Sequence, residues 1–212
     1  RDVERSRGLG DVYKRQIISK SGSPALFHCD AVQAFGKVNL KPQKLGVDLM
    51  SISSHKIHGP KGVGALYIRK GARIVPLHYG GEQERKIRPG TESLPLICAF
   101  AEAVKALPNI DDQHEKIEEL WNYCKEKVLE IPNVYINSPD GVLPYILNIS
   151  AVGVRSETML HYLAESGIYV SSGSACAKGK KSHVLTAMGL SPERIDSCLL
   201  YTSPSPRDLS TS

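Results

Sequence analysis

The sequence predicts an α/β fold in which part of a mainly parallel sheet is followed by a separate small α/β unit. The apolar segment ALFHC ends at Asp30, and the segment DLMSIS follows it after a short helical crossover. Two strands joined by such a crossover are typical of a parallel sheet. Further along, YILNIS and IYVSS flank a helical pattern and indicate the second unit.

The elements of the first part follow in chain order. Ala25–Cys29 forms a strand, residues 41–46 form the helical crossover, and DLMSIS forms the next strand. The segment GVGALYIR alternates apolar and polar side chains well enough for a third strand. Thr91 is expected to cap a helix with Pro95 in its first turns, which continues through CAFAEAVKAL.

The second part begins with a helix from about Asp111 to Glu130, stopped by Pro132. One face of this helix is apolar and is formed by Ile117, Leu120, Trp121, Cys124 and Val128. The small unit then consists of a strand, a helix and a strand at Tyr145–Ser150, Ser156–Ser166 and Ile168–Ser172. A last helix begins at SPERI, with Ser191 as cap and Pro192 as its first residue.

Both ends differ in character from the middle. Residues 1–16 and 198–212 show no helix or strand period, and the second segment is rich in Ser, Pro and Thr. Similar strings arise when sequencing-adapter read-through is translated, so we predict that both are non-native tails; natural disordered tails are the alternative. Between them we expect a partial large domain over residues 17–108, and a helix plus a small domain over residues 109–197.

Composition narrows the class of protein. The 212 residues are 41% apolar and 23% charged, as in ordinary soluble globular proteins. The basic residues are scattered and the net charge is only +5, which argues against direct binding of nucleic acid. No apolar run approaches a membrane span, and the first residues lack the apolar core of a signal peptide. Five cysteines without a CxxC pair argue against disulfides and a metal centre, so a cytoplasmic protein is expected.

Lys56 and Asp30 form the central chemical pattern. Lys56 lies in SSHKIHGPKGVG, where hydroxyl, imidazole and glycine groups suit an amine beside a phosphate. Asp30 follows an apolar strand about 26 residues upstream and suits a partner for a ring nitrogen. Since both follow the carboxyl ends of strands, the sequence predicts a pyridoxal phosphate site. Ser53 and His55 offer donors for the phosphate, and Gln33 suits the phenolic oxygen.

Each of these residues has a plainer interpretation. Asp30 is equally well explained as a helix N-cap, Gln33 as a surface residue and His55 as a packed histidine. Cys176 lies in VSSGSACAKGKKSH, where small residues allow movement and three lysines favour the reactive thiolate. A solvated linker with an incidental thiol is the alternative there.

Four ordered segments together resemble the cysteine desulfurases of the class V aminotransferase group, which are fold-type I pyridoxal phosphate enzymes. The segments are FHCDAVQAFGK, DLMSISSHKIHGPKGVGALYIR, RPGTES and SSGSACAKGKKSHVLTAMGLSPE, and the resemblance covers roughly residues 17–196. It implies that the chain is the C-terminal half of such an enzyme: part of the cofactor-binding large domain, then the small domain. The SSGSAC form is similar to the subgroup that serves iron–sulfur cluster assembly and tRNA thiolation.

The resemblance also implies a role for each residue. Lys56 corresponds to the lysine that carries the cofactor, Asp30 to the ring-nitrogen partner and Gln33 to the phenolic-oxygen ligand. Ser53 and His55 correspond to phosphate ligands, with Thr91 reaching the phosphate of the other subunit of a homodimer. Cys176 corresponds to the nucleophile that takes sulfur from L-cysteine as a persulfide, for an acceptor such as an iron–sulfur scaffold or a tRNA-thiolation enzyme.

The chain departs from the family pattern at both ends. The upstream phosphate loop, the ring-stacking histidine and an asparagine near the phenolic oxygen are missing, and CLLYTSPSP stands where the arginine for the substrate carboxylate is expected. We therefore expect this polypeptide to be inactive alone. The alternatives are a selenocysteine lyase, another enzyme of the class V aminotransferase fold, and a non-catalytic thiol carrier.

Overall fold

The computed structural model describes residues 14–172 and 182–202. The chain divides into two compact units, Arg1–Gln113 and His114–Ser212, which are described separately below. Each unit contains a three-stranded sheet and helices. The α/β class expected from the sequence is therefore confirmed.

The first unit is built on a sheet with strand order β1-β2-β3. The first pair is parallel, with Asp30 opposite Ser51, and the second pair is antiparallel, because the chain reverses direction over residues 54–63. The predicted crossover helix is present and ends at Gly46 in the left-handed conformation. The elements are β1 (His28–Asp30), α2 (Pro42–Leu45), β2 (Leu49–Ser53) and β3 (Gly64–Ile68).

The first strand is shorter than the sequence indicates, since it begins at His28 and not at Ala25. The reason lies in its partner, because β2 itself begins only at Leu49, opposite His28. The carbonyl oxygen of Phe27 accepts the N–H groups of both Asp48 and Leu49, at 2.8 and 3.1 Å. This shared contact ends the regular ladder. Below the sheet, the buried side chains are Ala31, Val47 and Met50.

Asp48 is a fully buried carboxylate at the amino end of β2. It accepts hydrogen bonds from the Phe27 N–H at 2.8 Å, from Arg69 Nε at 2.6 Å and from Arg15 Nη1 at 2.9 Å. Burial raises the pKa of Asp48, but these hydrogen bonds and the two guanidinium charges outweigh burial, so the net pKa is lowered. Asp48, which precedes β2, thereby connects Phe27, just before β1, with Arg69, just after β3.

The bond from Arg15 corrects the sequence analysis, which gave residues 1–16 no helical period. Residues 14–20 are helical (α1), and Arg15 reaches Asp48 from this helix. Residues 1–13 lie outside the described part of the chain. The non-native origin of this segment stays a prediction.

The next helix, α3 (Leu94–Lys105), starts later than predicted, because Ser93 and not Thr91 is its N-cap. Pro95 explains the difference. With Thr91 as the cap, Pro95 would stand at the fourth helical position, where an N–H is needed for the first helical bond. With Ser93 as the cap, Pro95 falls in the first two positions, which tolerate proline.

Helix α4 (Ile110–Leu129) matches the predicted helix within one residue at each end. Its apolar face is narrower than predicted. Ile117 is buried and Trp121, Cys124 and Val128 are half-buried, whereas Leu120 is exposed. At 100° per residue, Leu120 lies about 60° away from Ile117, outside the stripe that the other side chains form.

The second unit contains an antiparallel sheet with strand order β4-β5-β6. Helices α5 and α7 and strand β5 confirm the predicted elements within one residue. The elements are β4 (Val134–Ile136), β5 (Ile146–Ala151), α5 (Ser156–Glu165), α6 (His183–Ala187), α7 (Pro192–Asp196) and β6 (Cys198–Thr202).

Two expectations about this unit were wrong. Residues 198–202 were expected to show no strand period, but Cys198 and Leu199 are buried and β6 pairs with β5 over five residues. The non-native origin of the segment stays a prediction. The Ser, Pro and Thr content of the whole segment concealed this short apolar run. Conversely, Ile168–Ser172 does not form a strand; only Ser171 bridges to Leu200 of β6, because Ile168 and Tyr169 are exposed.

No helix in the described ranges is long and apolar enough to cross a membrane. Within the same ranges, no three His, Cys, Asp or Glu side chains cluster as metal ligands would. Apolar side chains are nevertheless exposed on the first unit, on α3 and on the loop before it. They include Val75, Leu77, Tyr79, Leu94 and Ile97.

Candidate active site

The carboxyl edge of the parallel pair β1/β2 brings the predicted polar residues together. β1 ends at Asp30 and β2 ends at Ser53, and a 3₁₀ turn, Ser54–Ile57, follows directly with His55 and Lys56. Because the strands are parallel, both chain segments leave the sheet at the same edge. Four of the predicted site residues therefore share one edge of one sheet.

Asp30 is exposed, and its carboxylate is held by its immediate surroundings. Oδ1 accepts the Val32 N–H at 3.0 Å and the Ser51 hydroxyl at 3.4 Å. The first bond makes an Asx turn, and residues 32–37 are turns, not a helix. The helix N-cap interpretation of Asp30 is therefore wrong, and Gln33 lies exposed on this turn and not on a helical face.

The 3₁₀ turn fixes the backbone around Lys56. Ser53 Oγ and His55 Nδ1 are 2.7 Å apart and share a hydrogen bond whose direction depends on the histidine tautomer. Ile57 is buried and anchors the turn, while Lys56 is half-buried and His55 is exposed. The turn ends at His58, a non-glycine residue in the left-handed conformation, with φ of 65°. His55 thus makes a polar contact toward the site, so the packed-histidine interpretation does not hold.

Lys37 is a second lysine close to Lys56, and the sequence pattern did not reveal it. Burial and, second, the positive charge of Lys56 lower the pKa of Lys37. The preceding residue, Gly36, is packed against the turn, since a Cβ at Gly36 would lie 2.9 Å from Ile57 Cγ2. A second ammonium group therefore lies near Lys56. The only signal in the sequence is a lysine four residues after Gln33, which is too weak to find it.

The glycines of GPKGVG allow close approach of the backbone, as predicted, but they approach the protein itself. A Cβ on Gly59 would overlap Ser54 Oγ, and a Cβ on Gly64 would lie 2.5 Å from the carbonyl oxygen of Ile52. Neither glycine needs a left-handed backbone. Both are therefore explained by packing around the turn.

The two remaining predicted site residues are Thr91 and Cys176. Thr91 is exposed, two residues before the N-cap Ser93 of α3. Cys176 lies outside the described residues, so its predicted role stays a prediction. Burial raises the pKa values of Cys124 and Cys198, which makes these thiols poor nucleophiles.

The residues at the edge fit pyridoxal phosphate. The site offers an amine for the aldehyde, a carboxylate for the ring nitrogen, and hydroxyl and imidazole groups for the phosphate. Asp30 and His55 are exposed, so they can receive a ligand without displacing protein atoms.

Comparison with known proteins identifies the family of this chain. The sequence model of the family described as Aminotransferase class-V matches residues 11–194. The chain belongs to this family. The match begins inside the segment predicted to be a non-native tail. It also agrees with the resemblance noted from the sequence motifs.

Individual members of the family are similar over most of this chain. A protein of Dictyoglomus turgidum named cysteine desulfurase IscS is 42% identical over 201 residues, which are 92% of this chain and 51% of that protein. A solved NifS-like protein is 36% identical with a TM-score of 0.79, covering 88% of this chain and 49% of its own. A structure described as SspA in complex with cysteine is 31% identical with a TM-score of 0.71, covering 90% and 53%. The chain thus spans about half the length of these relatives.

Proposed function

We propose that the complete protein containing this chain is a cysteine desulfurase that uses pyridoxal phosphate to remove sulfur from L-cysteine. The observation that carries the proposal is the placement of Asp30 and Lys56 at the carboxyl edge of one parallel strand pair. The names of the relatives support it, since they include cysteine desulfurases and a protein solved with cysteine.

The residues at the edge have two kinds of role, namely binding the cofactor and transferring a proton. Pyridoxal phosphate supplies an electron sink for the bond-breaking step. The amine of Lys56 attaches the cofactor and, when released from it, holds or moves a proton. Asp30 keeps its carboxylate on the ring nitrogen, because Val32 and Ser51 fix its orientation. Ser53 and His55 bind the phosphate, and Gln33 bonds the phenolic oxygen.

Cys176 is proposed as the sulfur acceptor. Its thiolate forms a sulfur–sulfur bond with the substrate while the carbon–sulfur bond breaks. The electron pair of that bond stays with the substrate carbon, which takes up a proton and leaves as alanine. The Cys176 persulfide is then passed to an acceptor protein, which we propose serves iron–sulfur cluster assembly or tRNA thiolation in the cytoplasm.

Borohydride reduction tests the cofactor site directly. The full-length protein is loaded with pyridoxal phosphate, reduced, digested and mapped by mass spectrometry. We expect the pyridoxyl group on Lys56, because this lysine follows β2 at the edge that also holds Asp30. Lys37 is the internal control, since it is close to Lys56 and carries an amine with a lowered pKa. A label on Lys37, Lys61 or Lys70 in place of Lys56 would contradict the assignment.

A further inference from the structure

Ser54 combines complete burial with a hydroxyl that lacks a hydrogen bond. Its exposure is 0%, and within the described part of the chain no group bonds to its Oγ. A buried hydroxyl without a partner costs roughly 1–3 kcal/mol. The stability of the fold therefore does not explain a serine at this position, which directly precedes His55 and Lys56.

The backbone of Ser54 closes a short ring around Lys56. The Ser54 carbonyl oxygen accepts the N–H of Gly59 at 3.1 Å and also the N–H of His58. The Ser54 N–H donates to the carbonyl oxygen of Val63 at 3.1 Å. Ser54 and Gly59 are thus the two ends of a closed six-residue loop, and Lys56 lies within it.

The side chain of Ser54 fills the space above the bare Cα of Gly59. A Cβ on Gly59 would overlap Ser54 Oγ and would then lie 3.1 Å from Ala103 Cβ of α3. The Gly59 backbone is not in the left-handed region, so alanine is compatible with its conformation. The overlap with Ser54 Oγ is the most severe of the contacts that exclude a side chain at Gly59, since the Cβ would also lie 3.2 Å from the Ser54 carbonyl oxygen. Turning the Ser54 hydroxyl away requires room around a residue that has no exposure.

We propose that the Ser54 hydroxyl and the bare Cα of Gly59 form a steric lock that fixes the direction in which Lys56 leaves its turn. Ser54 and Gly59 are positioning residues, because they act on the cofactor only through Lys56. The inference rests on the proposed function of Lys56. The inference adds Ser54 and Gly59 to the site and gives the unpaired Ser54 hydroxyl a role next to Lys56.

The space above the Cα of Gly59 can be filled either by the hydroxyl oxygen of Ser54 or by a methyl group at position 59. Ser54→Ala removes the oxygen and leaves a small gap, so Lys56 gains freedom. Gly59→Ala inserts a methyl group into the occupied space and displaces the turn. In the double variant the new methyl group at position 59 replaces the missing oxygen at position 54. The lock therefore predicts that the double variant performs better than Gly59→Ala alone.

The experiment measures borohydride-trapped pyridoxyl label on Lys56 in the full-length protein, together with urea unfolding. Ser54→Ala should lose about two- to threefold in labelling while its stability stays equal or rises, because an unpaired hydroxyl is removed. Gly59→Ala should lose about tenfold or more, as expected for overpacking. Adding Ser54→Ala to Gly59→Ala should recover part of that loss, because the contacts with Ala103 Cβ and the Ser54 carbonyl oxygen remain. Ser93→Ala is the matched control, since Ser93 makes no side-chain cap bond and should not rescue Gly59→Ala.

The possible results distinguish failure of the steric lock from failure of the proposed cofactor-binding role of Lys56. The lock is overturned if Gly59→Ala labels normally, or if the double variant is as poor as Gly59→Ala. It is also overturned if Ser54→Ala loses stability and labelling in parallel, because the hydroxyl would then have a structural role only. If the unaltered protein takes no label on Lys56, the proposed function fails. The unfolding data alone would then decide whether Ser54 and Gly59 are coupled.

Discussion

Asp48 holds three segments of the first sheet through one buried carboxylate, and its lowered pKa gives a test at the scale of a single residue. Asp48→Asn keeps the shape but removes the charge that Arg69 and Phe27 bond. We expect a loss of about 1.5–3 kcal/mol in the free energy of unfolding at pH 7, the usual value for hydrogen bonds to a charged group. Urea denaturation of the full-length protein measures it.

The pH dependence of this loss has a defined sign. Because the folded-state pKa of Asp48 is lowered, its contribution is complete above the unfolded pKa and is lost as pH falls through the folded value. The difference between the unaltered protein and Asp48→Asn should therefore shrink on acidification. Glu82→Gln is the control, since its ion pair with Lys86 is exposed and worth little. A difference that is constant down to acidic pH would contradict the assignment.

Cys176 gives a second test at this scale. In the full-length protein, Cys176→Ser should keep the cofactor, because Lys56 and Asp30 are untouched. Persulfide and alanine formation should fall at least about a hundredfold, since a serine hydroxyl near neutral pH does not replace a thiolate. Cys98→Ser is the matched control, as Cys98 is exposed on α3 and should be dispensable. Desulfuration at the original rate by Cys176→Ser would favour a lyase that needs no thiol, and loss of cofactor would make the Cys176 segment structural.

The site residues that sequence reasoning found are those that chain order alone brings together. Asp30 and Lys56 each follow a strand, and parallel strands end at one edge whatever surrounds them. Two residues near the candidate site, Lys37 and Ser54, and the structural carboxylate Asp48 could not be found in this way. The pKa of Lys37 depends on a fold that packs Gly36 on the turn, and the role of Asp48 depends on an arginine 21 residues later in sequence. Such contacts follow from packing and not from a local pattern.

At the scale of whole elements, apolar runs predicted β1, β2, β3 and β5 but not all of their limits, and they missed β4 and β6. Strand limits depend on the partner, so Ala25–Phe27 stays outside β1 because β2 begins at Leu49. The predicted strand Ile168–Ser172 is reduced to one bridge between Ser171 and Leu200, since Ile168 and Tyr169 are exposed. Helices were predicted more closely, since α4, α5 and α7 close their hydrogen bonds within themselves and proline marks the start of α7.

The turn Gln83–Lys86 carries backbone strain that a sequence pattern does not reveal. Glu84, Arg85 and Lys86 have φ of 45°, 58° and 65°, three successive non-glycine residues in the left-handed region. Each such residue costs roughly 1–2 kcal/mol, whereas glycine has no such penalty. We expect Lys86→Gly to raise the free energy of unfolding by about 0.5–1 kcal/mol, after the entropy that glycine loses on folding.

Lys86→Ala is the matched control for this turn. It removes the same exposed ion pair with Glu82 but keeps the Cβ, so it should give no gain in stability. Denaturant unfolding of both variants of the full-length protein measures the comparison. Equal stability of the glycine and alanine variants would show that the left-handed backbone at Lys86 is not under strain in solution.

At the scale of the whole molecule, Thr91 tests the proposed homodimer. Thr91 is exposed in RPGT, and we propose that its hydroxyl bonds the phosphate held by the other subunit. Thr91→Val in the full-length protein should weaken pyridoxal phosphate binding at least about tenfold, since a hydrogen bond to a charged group contributes roughly 1.5–3 kcal/mol. Thr158→Val, on α5, is the control. Sedimentation that finds a monomer with full cofactor occupancy would contradict the proposal.

The exposed apolar side chains give the test that belongs to the 212-residue chain itself. Val75 and Leu77 are 79% and 92% exposed, and α3 exposes Leu94 and Ile97. An apolar surface of this kind on a single chain favours association. We expect the chain alone to bind a hydrophobic dye, to self-associate, and to release no sulfide from L-cysteine, since it spans about half the length of its relatives.

Substitution of the exposed side chains separates surface association from loss of folding. Val75→Thr with Leu77→Asn should reduce dye binding and self-association but leave unfolding unchanged within about 0.5 kcal/mol, because these side chains are not buried. Val47→Thr, at a fully buried position, should lower stability instead, since it puts an unpaired hydroxyl in the core. If the Val75 and Leu77 variant binds dye and associates as before, the apolar loop is not the surface responsible. Sulfide release by the unaltered 212-residue chain would mean that its own residues suffice for the reaction.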